Sequence, residues 1–411
     1  MSTSATYPLP SLVRIGIINA LLTIGLLRLT NLNYYLSQLI GLETEINNTG
    51  GNAFNFNNYL GVGILAIILL SKGSSVRTHW SSTWPFALLM IIYVSNFFLA
   101  PYANLTWIIY QEVFLLIALL LHIYVQKIEP TFYLRFASGM RYLFWSSIGL
   151  VAFSATVLML KNNFTYYIEE FNEVFVQTLD DYGIMKQRYG YLMGFLVAYI
   201  LFFIRRKWVQ ILLFSLILTT SFGIRSFVIG IVAAGLITLS KGSLKRLGLF
   251  ATLLFLLMIP FQEMFRELIY DTRFYSYLNA WDIIGKYPFG VGLGGYEAYT
   301  EQNSRMLFAS FYDINAILDY IPLAPESDIV HIFGTLGPVL GTVHFLIIGR
   351  IIWLGFRSQR SFCSFEKCIL FYFTFMTFFG VGEDSIFSIN YWIVFGLASG
   401  ILAKRFQKDN T

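Results

Sequence analysis

About twelve apolar runs, most of them near the length of a membrane span, set the pattern of this chain. They lie at about 12–29, 54–71, 84–101, 103–126, 142–160, 189–204, 208–223, 226–240, 247–261, 328–355, 367–381 and 390–403. A helix that is apolar all round has no face to give to water, so a succession of such helices needs a bilayer as solvent. Composition agrees. Of 411 residues 56% are hydrophobic and 12% charged, with a mean hydropathy of +0.64. A typical soluble domain carries roughly twice that charge fraction. These values exclude a disordered chain, a coiled coil and an ordinary cytosolic enzyme. The expected fold class is an all-α integral membrane protein with about 12 transmembrane helices and a large, partly helical outer loop.

Lys and Arg set the orientation. With the N-terminus inside, most of the 28 basic residues fall in inner loops, including Lys72, Arg77, Lys127, Arg135, Arg205, Arg206, Lys241, Arg246, Arg357, Arg360, Lys404 and Arg405. That asymmetry places both termini in the cytoplasm. The net charge of +5 therefore orients helices and does not indicate a nucleic-acid partner. The first run lacks a small-x-small cleavage site and counts as a span, not a signal peptide. Cys363 and Cys368 lie near an inner helix start and suggest no disulfide framework. The organisation is nine spans over 1–261 with short inner loops, a periplasmic-type loop over 262–327, and three spans with a cytoplasmic tail over 328–411. Long outer loops at 31–53, 161–188 and 262–327 hold most of the acidic residues, so any chemistry faces outward.

Three segments carry chemistry-bearing side chains. In the first, Arg225 stands between two apolar runs in Ser221-Phe222-Gly223-Ile224-Arg225-Ser226. A guanidinium there either snorkels, pairs with a carboxylate such as Glu112, or grips a phosphate bidentately. In the second, Phe265–Lys286 reads as an amphipathic helix carrying Arg266, Arg273 and Asp282. It ends at Tyr287-Pro288 and runs into Phe289-Gly290-Val291-Gly292-Leu293-Gly294-Gly295-Tyr296. The G-x-G-x-x-G spacing is not a dinucleotide fingerprint, because no βαβ unit surrounds it. It is either a tight turn at the membrane surface or a backbone that approaches a ligand closely for want of Cβ atoms. In the third, Ala324-Pro325-Glu326-Ser327-Asp328 opens a long apolar helix, with His331 one turn on. These residues suit a helix N-cap first, and otherwise a general base or a metal site, and His331 reads as a buried, satisfied histidine before a ligand. Glu383-Asp384 and the intramembrane Glu112 are alternative carboxylates.

Taken in order, these segments resemble the O-antigen polymerase and ligase family of bacterial envelope glycosyltransferases. The similarity covers roughly 210–355: Thr219–Ser226, then Arg273-Phe274-Tyr275 through Trp281 to Gly294, then Pro325–Asp328 leading to Phe333–Gly341. The resemblance implies a many-spanning fold of the GT-C type in the bacterial inner membrane and catalysis on the periplasmic face. It implies an undecaprenyl-diphosphate-linked oligosaccharide as substrate, and a chain-length regulator protein and a flippase as partners. Arg225 and Arg273 match the arginines that hold the diphosphate. Ligases of the family place a His near Glu326, usually followed by Asn; Glu326-Ser327 here departs from that and favours a repeat-unit polymerase making O-antigen, capsule or exopolysaccharide. A ligase or a lipid-linked oligosaccharide flippase are the alternatives. On this reading Glu326 is the candidate base, with Asp328 and His331 as helpers. Tyr275, Trp281, Tyr287 and Tyr296 are candidates to stack on sugar faces, and Gly292 to let the backbone approach the substrate. No metal or cofactor is expected, since two guanidiniums can neutralise the leaving group.

Overall fold

A computed structural model of the chain describes residues 80–127, 140–149, 151–152, 155–156, 186–221, 225–258, 272–308, 327–382 and 386–409. The described residues form helices and turns, with no strand among them. The apolar runs at 12–29 and 54–71 and the outer loop at 31–53 lie outside the described residues, as does nearly all of the loop at 161–188. The helices are α1 (Trp80–Leu99), α2 (Leu105–Lys127), α3 (Lys186–Phe203), α4 (Lys207–Ser221), α5 (Arg225–Leu239) and α6 (Leu244–Met258). They continue as α7 (Thr272–Lys286), α8 (Tyr296–Phe308), α9 (Asp328–Ser358), α10 (Ser364–Phe379) and α11 (Ile389–Asp409).

The expectation of about twelve spans is met only in part. Three helices among the described residues are long and apolar enough to cross a membrane: Ser82–Leu99, Leu105–Gln126 and Asp328–Ser361. The helices α4, α5 and α6 have 15 residues each. At 1.5 Å per residue that is about 22 Å, short of the roughly 30 Å hydrocarbon core. The run at 208–240 is two helices, with α4 ending at Ser221 and α5 starting at Arg225.

The chain divides into two compact units, Met1–Arg77 with Ile123–Ile224, and Thr78–His122 with Arg225–Thr411. In the first unit, α3 turns back into α4 through Ile204–Arg206. Gln210 closes that hairpin by donating to the carbonyls of Ile204 at 2.7 Å and Ile200 at 3.3 Å. Tyr199 of α3 stacks on Phe144 with ring centroids 4.4 Å apart.

The second unit is organised around α9. This helix has 31 residues, about 46 Å at 1.5 Å each, more than a bilayer core requires. It breaks at Gly337, whose φ of 72° and ψ of 176° are far from helical, and Pro338 follows. The 21 residues beyond the break suffice for a span, and the piece from Asp328 to Leu336 is left over at one end. Pro338 has no N–H to donate to the carbonyl four residues back, that of Gly334. Val291 donates to that carbonyl instead, at 2.9 Å. Gly292 donates to the next one, Thr335, also at 2.9 Å. The glycine-rich turn after α7 thus satisfies the carbonyls that the break releases.

Asn96, in the last turn of α1 and fully buried, clamps the same place. Its amide donates to Phe289 O at 2.9 Å and Thr335 O at 3.0 Å, and its Oδ1 accepts from Leu293 N at 3.0 Å. Gly290 and Gly337 both have φ of +72°. A Cβ on Gly337 would collide with Pro288 O and Gly290 N, and one on Gly290 with Thr335 O. Two backbones touch here, so both positions need glycine for conformation and for room. Under the turn, Ala280, Ile283, Val291, Tyr296, Tyr299 and Val330 form a buried cluster from α7, the turn, α8 and α9. Each large member contributes roughly 1.5–3 kcal/mol by leaving water.

Asn96→Leu keeps the volume and strips the clamp, leaving two carbonyls and one amide without this partner. The expected cost is about 1–3 kcal/mol for each group that water cannot reach. Thermal unfolding in detergent should show a clear drop for Asn96→Leu and almost none for the exposed Phe98→Leu.

Candidate functional site

The turn between α10 and α11 collects the segments that the sequence singles out. Its described residues are Gly380–Gly382 and Ile386–Ser388. From α5, Ser226 Oγ donates to Gly382 O at 3.0 Å, and a Cβ on Gly382 would run into that hydroxyl. From α7, the Tyr277 phenol lies 3.5 Å from Val381 O and 3.2 Å from Ser327 Oγ. From the start of α9, Asp328 N donates to Gly380 O at 2.7 Å, and Asp328 Oδ1 accepts from Ile386 N at 2.7 Å. Three helix segments distant in sequence thereby meet at one turn.

Their neighbours are the candidate residues. Arg225 directly precedes Ser226 as the first residue of α5. Arg273 lies four residues before Tyr277 on α7, one turn away on the same face. Glu326 directly precedes Ser327 in the sequence. The side chains of Arg225, Arg273 and Tyr275 lie outside the described residues, as do Glu326 and Glu383-Asp384 altogether.

Ser327 is the N-cap of α9, with extended φ and ψ, and its Oγ accepts from Ile329 N at 3.3 Å. Asp328 is 3% exposed, and one carboxylate oxygen is engaged in holding the Gly380–Ile386 turn. His331 is also buried, its ring edge-on to Phe387 with centroids 4.4 Å apart. The capping reading of this segment is realised by Ser327, while Asp328 holds the neighbouring turn. Among the described residues no group of His, Cys, Asp and Glu could hold a metal ion.

The sugar-stacking candidates separate by exposure. Tyr296 is 2% exposed, with its ring against Gly334 and its hydroxyl donating to Ser276 O at 3.3 Å; it packs the core and offers no open face. Gly292, at φ +104°, would drive a Cβ into the Ala103 backbone, so its close approach is to protein and not to a ligand. Both residues are packed against protein in this structure. Tyr287 is partly buried in an edge-to-face trio with Tyr102 and Tyr299, at centroid distances of 5.8 to 6.5 Å. Trp281, by contrast, is 76% exposed.

Sequence reasoning missed the groups deeper in the same unit. Tyr93 and His344 are fully buried, with ring centroids 5.8 Å apart, and neither the phenol oxygen nor either imidazole nitrogen has a hydrogen-bond partner among the described residues. Glu112 Oε1 is likewise buried without a hydrogen-bond partner among the described residues. A polar residue inside an apolar run was the signal available for each. No family model matches this sequence, no curated protein matches it, and no solved structure matches its fold.

The α7–α8 frame that supports the site has its own electrostatics. Asp282 accepts from Lys286 Nζ at 2.7 Å and from Tyr299 Oη at 2.8 Å. The Asp282 hydrogen bond raises the Lys286 ammonium above its ordinary value. Burial, then the bond to Asp282, pushes the Tyr299 phenol up to about 12 from an ordinary 10. The folded chain therefore prefers neutral Tyr299 and charged Lys286. Their contribution is complete below the unfolded-state values and is lost as pH climbs from 10 towards about 12. Tyr299→Phe should lower stability by about 1 kcal/mol at neutral pH and flatten the alkaline loss. Unfolding midpoints in detergent on both sides of that window check this; an unchanged alkaline slope would remove Tyr299 from the account.

Proposed function

We propose that this chain is a membrane glycosyltransferase of the periplasmic face of the bacterial inner membrane. It joins undecaprenyl-diphosphate-linked oligosaccharide repeat units into a surface polysaccharide. The observation that supports the reading is the convergence on the Gly380–Ile386 turn. Ser226, Tyr277 and Asp328, each close in sequence to one of Arg225, Arg273 and Glu326, all bond to it. On this reading the two guanidiniums and the carboxylate that adjoin those contacts in the sequence supply what glycosyl transfer from a lipid diphosphate demands.

The chemistry follows from the charges. The carboxylate takes the proton of an acceptor sugar hydroxyl as that oxygen bonds to the anomeric carbon of the donor sugar. The bond from that carbon to the carrier breaks, and the diphosphate leaves with the electron pair. Negative charge on the diphosphate grows along this path, so Arg225 and Arg273 stabilise the transition state more than the bound substrate. Asp328 acts as a positioning residue that holds the turn. The Glu326-Ser327 dipeptide, where ligases carry His followed by Asn near this position, favours the polymerase over transfer of finished chains to a lipid A core.

Cells lacking the chain should accumulate carrier-linked single repeat units, whereas a ligase deficiency would leave long chains unattached. Arg225→Ala and Arg273→Ala should each slow polymerisation by about 10²–10³-fold, the size expected for loss of one preorganised charge donor. The Lys variants should recover part of it, because they keep charge and lose the fork. Polysaccharide ladders from complemented cells give the readout; normal ladders from both Ala variants would overturn the diphosphate assignment. Full-length ladders from Glu326→Gln would place the base elsewhere.

A further inference from the structure

Helix α7 carries three stripes. Ser276, Asn279, Ala280 and Ile283 are buried. Asp282 and Lys286 make the ion pair described above, on a second side. The third stripe, Tyr277, Leu278, Trp281 and Gly285, is exposed and uncharged over these four residues, with Arg273 one turn before Tyr277 at its N-terminal end. Tyr277 and Leu278 are each 38% exposed and Trp281 76%. A helix face in water normally carries charge, and α7 keeps its charged pair off this face.

Its level along the bundle is fixed. The turn that ends α7 is bound by Asn96 of α1, three residues before the end of a span-length helix. At that end α1 exposes Phe98 by 77% and Leu99 by 50%. Trp107, at the start of α2, packs its ring against Gly294 of the same turn and remains 41% exposed. The turn that ends α7 is thus level with exposed apolar and aromatic groups at the end of two helices that are long and apolar enough to cross a membrane. Trp and Tyr concentrate at the headgroup level, and amphipathic helices lie in that plane with the apolar side down.

We infer that α7 is an interfacial helix whose Tyr277–Leu278–Trp281 face is embedded in the bilayer at the Asn96 end of α1. Trp281 contacts lipid and not a sugar. The Gly380–Ile386 turn, which Tyr277 touches, then stands at headgroup level, where a carrier lipid can reach it sideways without leaving the leaflet. The placement rests on exposure and connectivity, not on the enzymatic reading, and its failure would leave that reading intact.

The test uses the full chain in nanodiscs with Cys363, the exposed thiol, replaced by Ser. Trp281→Cys and, as a reference, Glu301→Cys on the exposed side of α8 are labelled with an environment-sensitive fluorophore. Nitroxide lipids carrying the spin near the headgroup should quench the label at 281, with a blue-shifted emission, and leave the label at 301 unquenched. Independently, Trp281→Phe should lose part of the native tryptophan quenching caused by brominated lipid. Water-like emission at 281 together with unchanged brominated-lipid quenching in Trp281→Phe would overturn the placement.

Discussion

A backbone carbonyl buried away from water cannot be left without a donor, because each orphan costs roughly 1–3 kcal/mol. Pro338 creates that problem for Gly334, and the Gly337 break extends it to Thr335. The solution comes from outside the helix. Val291, Gly292 and Asn96 donate to those carbonyls, and three glycine-dependent approaches let the backbones meet. The arrangement ties α1, the glycine turn and α9 into one joint. It also fixes where α7 and α8 can lie, since they flank the turn on both sides.

The rest of the site depends on that joint. With α7 held against the first piece of α9, Tyr277 reaches Ser327 and the Gly380–Ile386 turn. With the first piece of α9 held, Asp328 can bind the same turn from two atoms. Ser226 completes the set from α5. The proline break in α9 thereby helps to bring segments of α5, α7 and α9, remote in sequence, to one turn.

Much of this was legible locally. The runs at 84–101, 103–126 and 328–355 correspond to α1, α2 and α9, and α7 ends where Tyr287-Pro288 says it should. The glycine run is a turn, and Ser327 is a cap. These features follow from periodicity and from residues whose effect is confined to one or two turns. The joint was not legible, because it pairs Asn96 with a carbonyl 239 positions away and a turn amide with a helix break. Asn in an apolar run and Gly-Pro in another were both visible, but nothing in either says that it answers the other. Nor does the sequence show that Tyr296, a candidate for stacking on a sugar, and Gly292, a candidate for close backbone approach to the substrate, are packed against protein.

Amide hydrogen exchange over 288–295 in the full chain tests the joint most directly. Val291, Gly292 and Leu293 donate to Gly334 O, Thr335 O and Asn96 Oδ1, so their amides should exchange as slowly as those of the α9 span. Protection should fall at these three sites in Asn96→Leu. Exchange at the rate of an open loop in the native chain would contradict the account, because α7 would then have no fixed place beside α9.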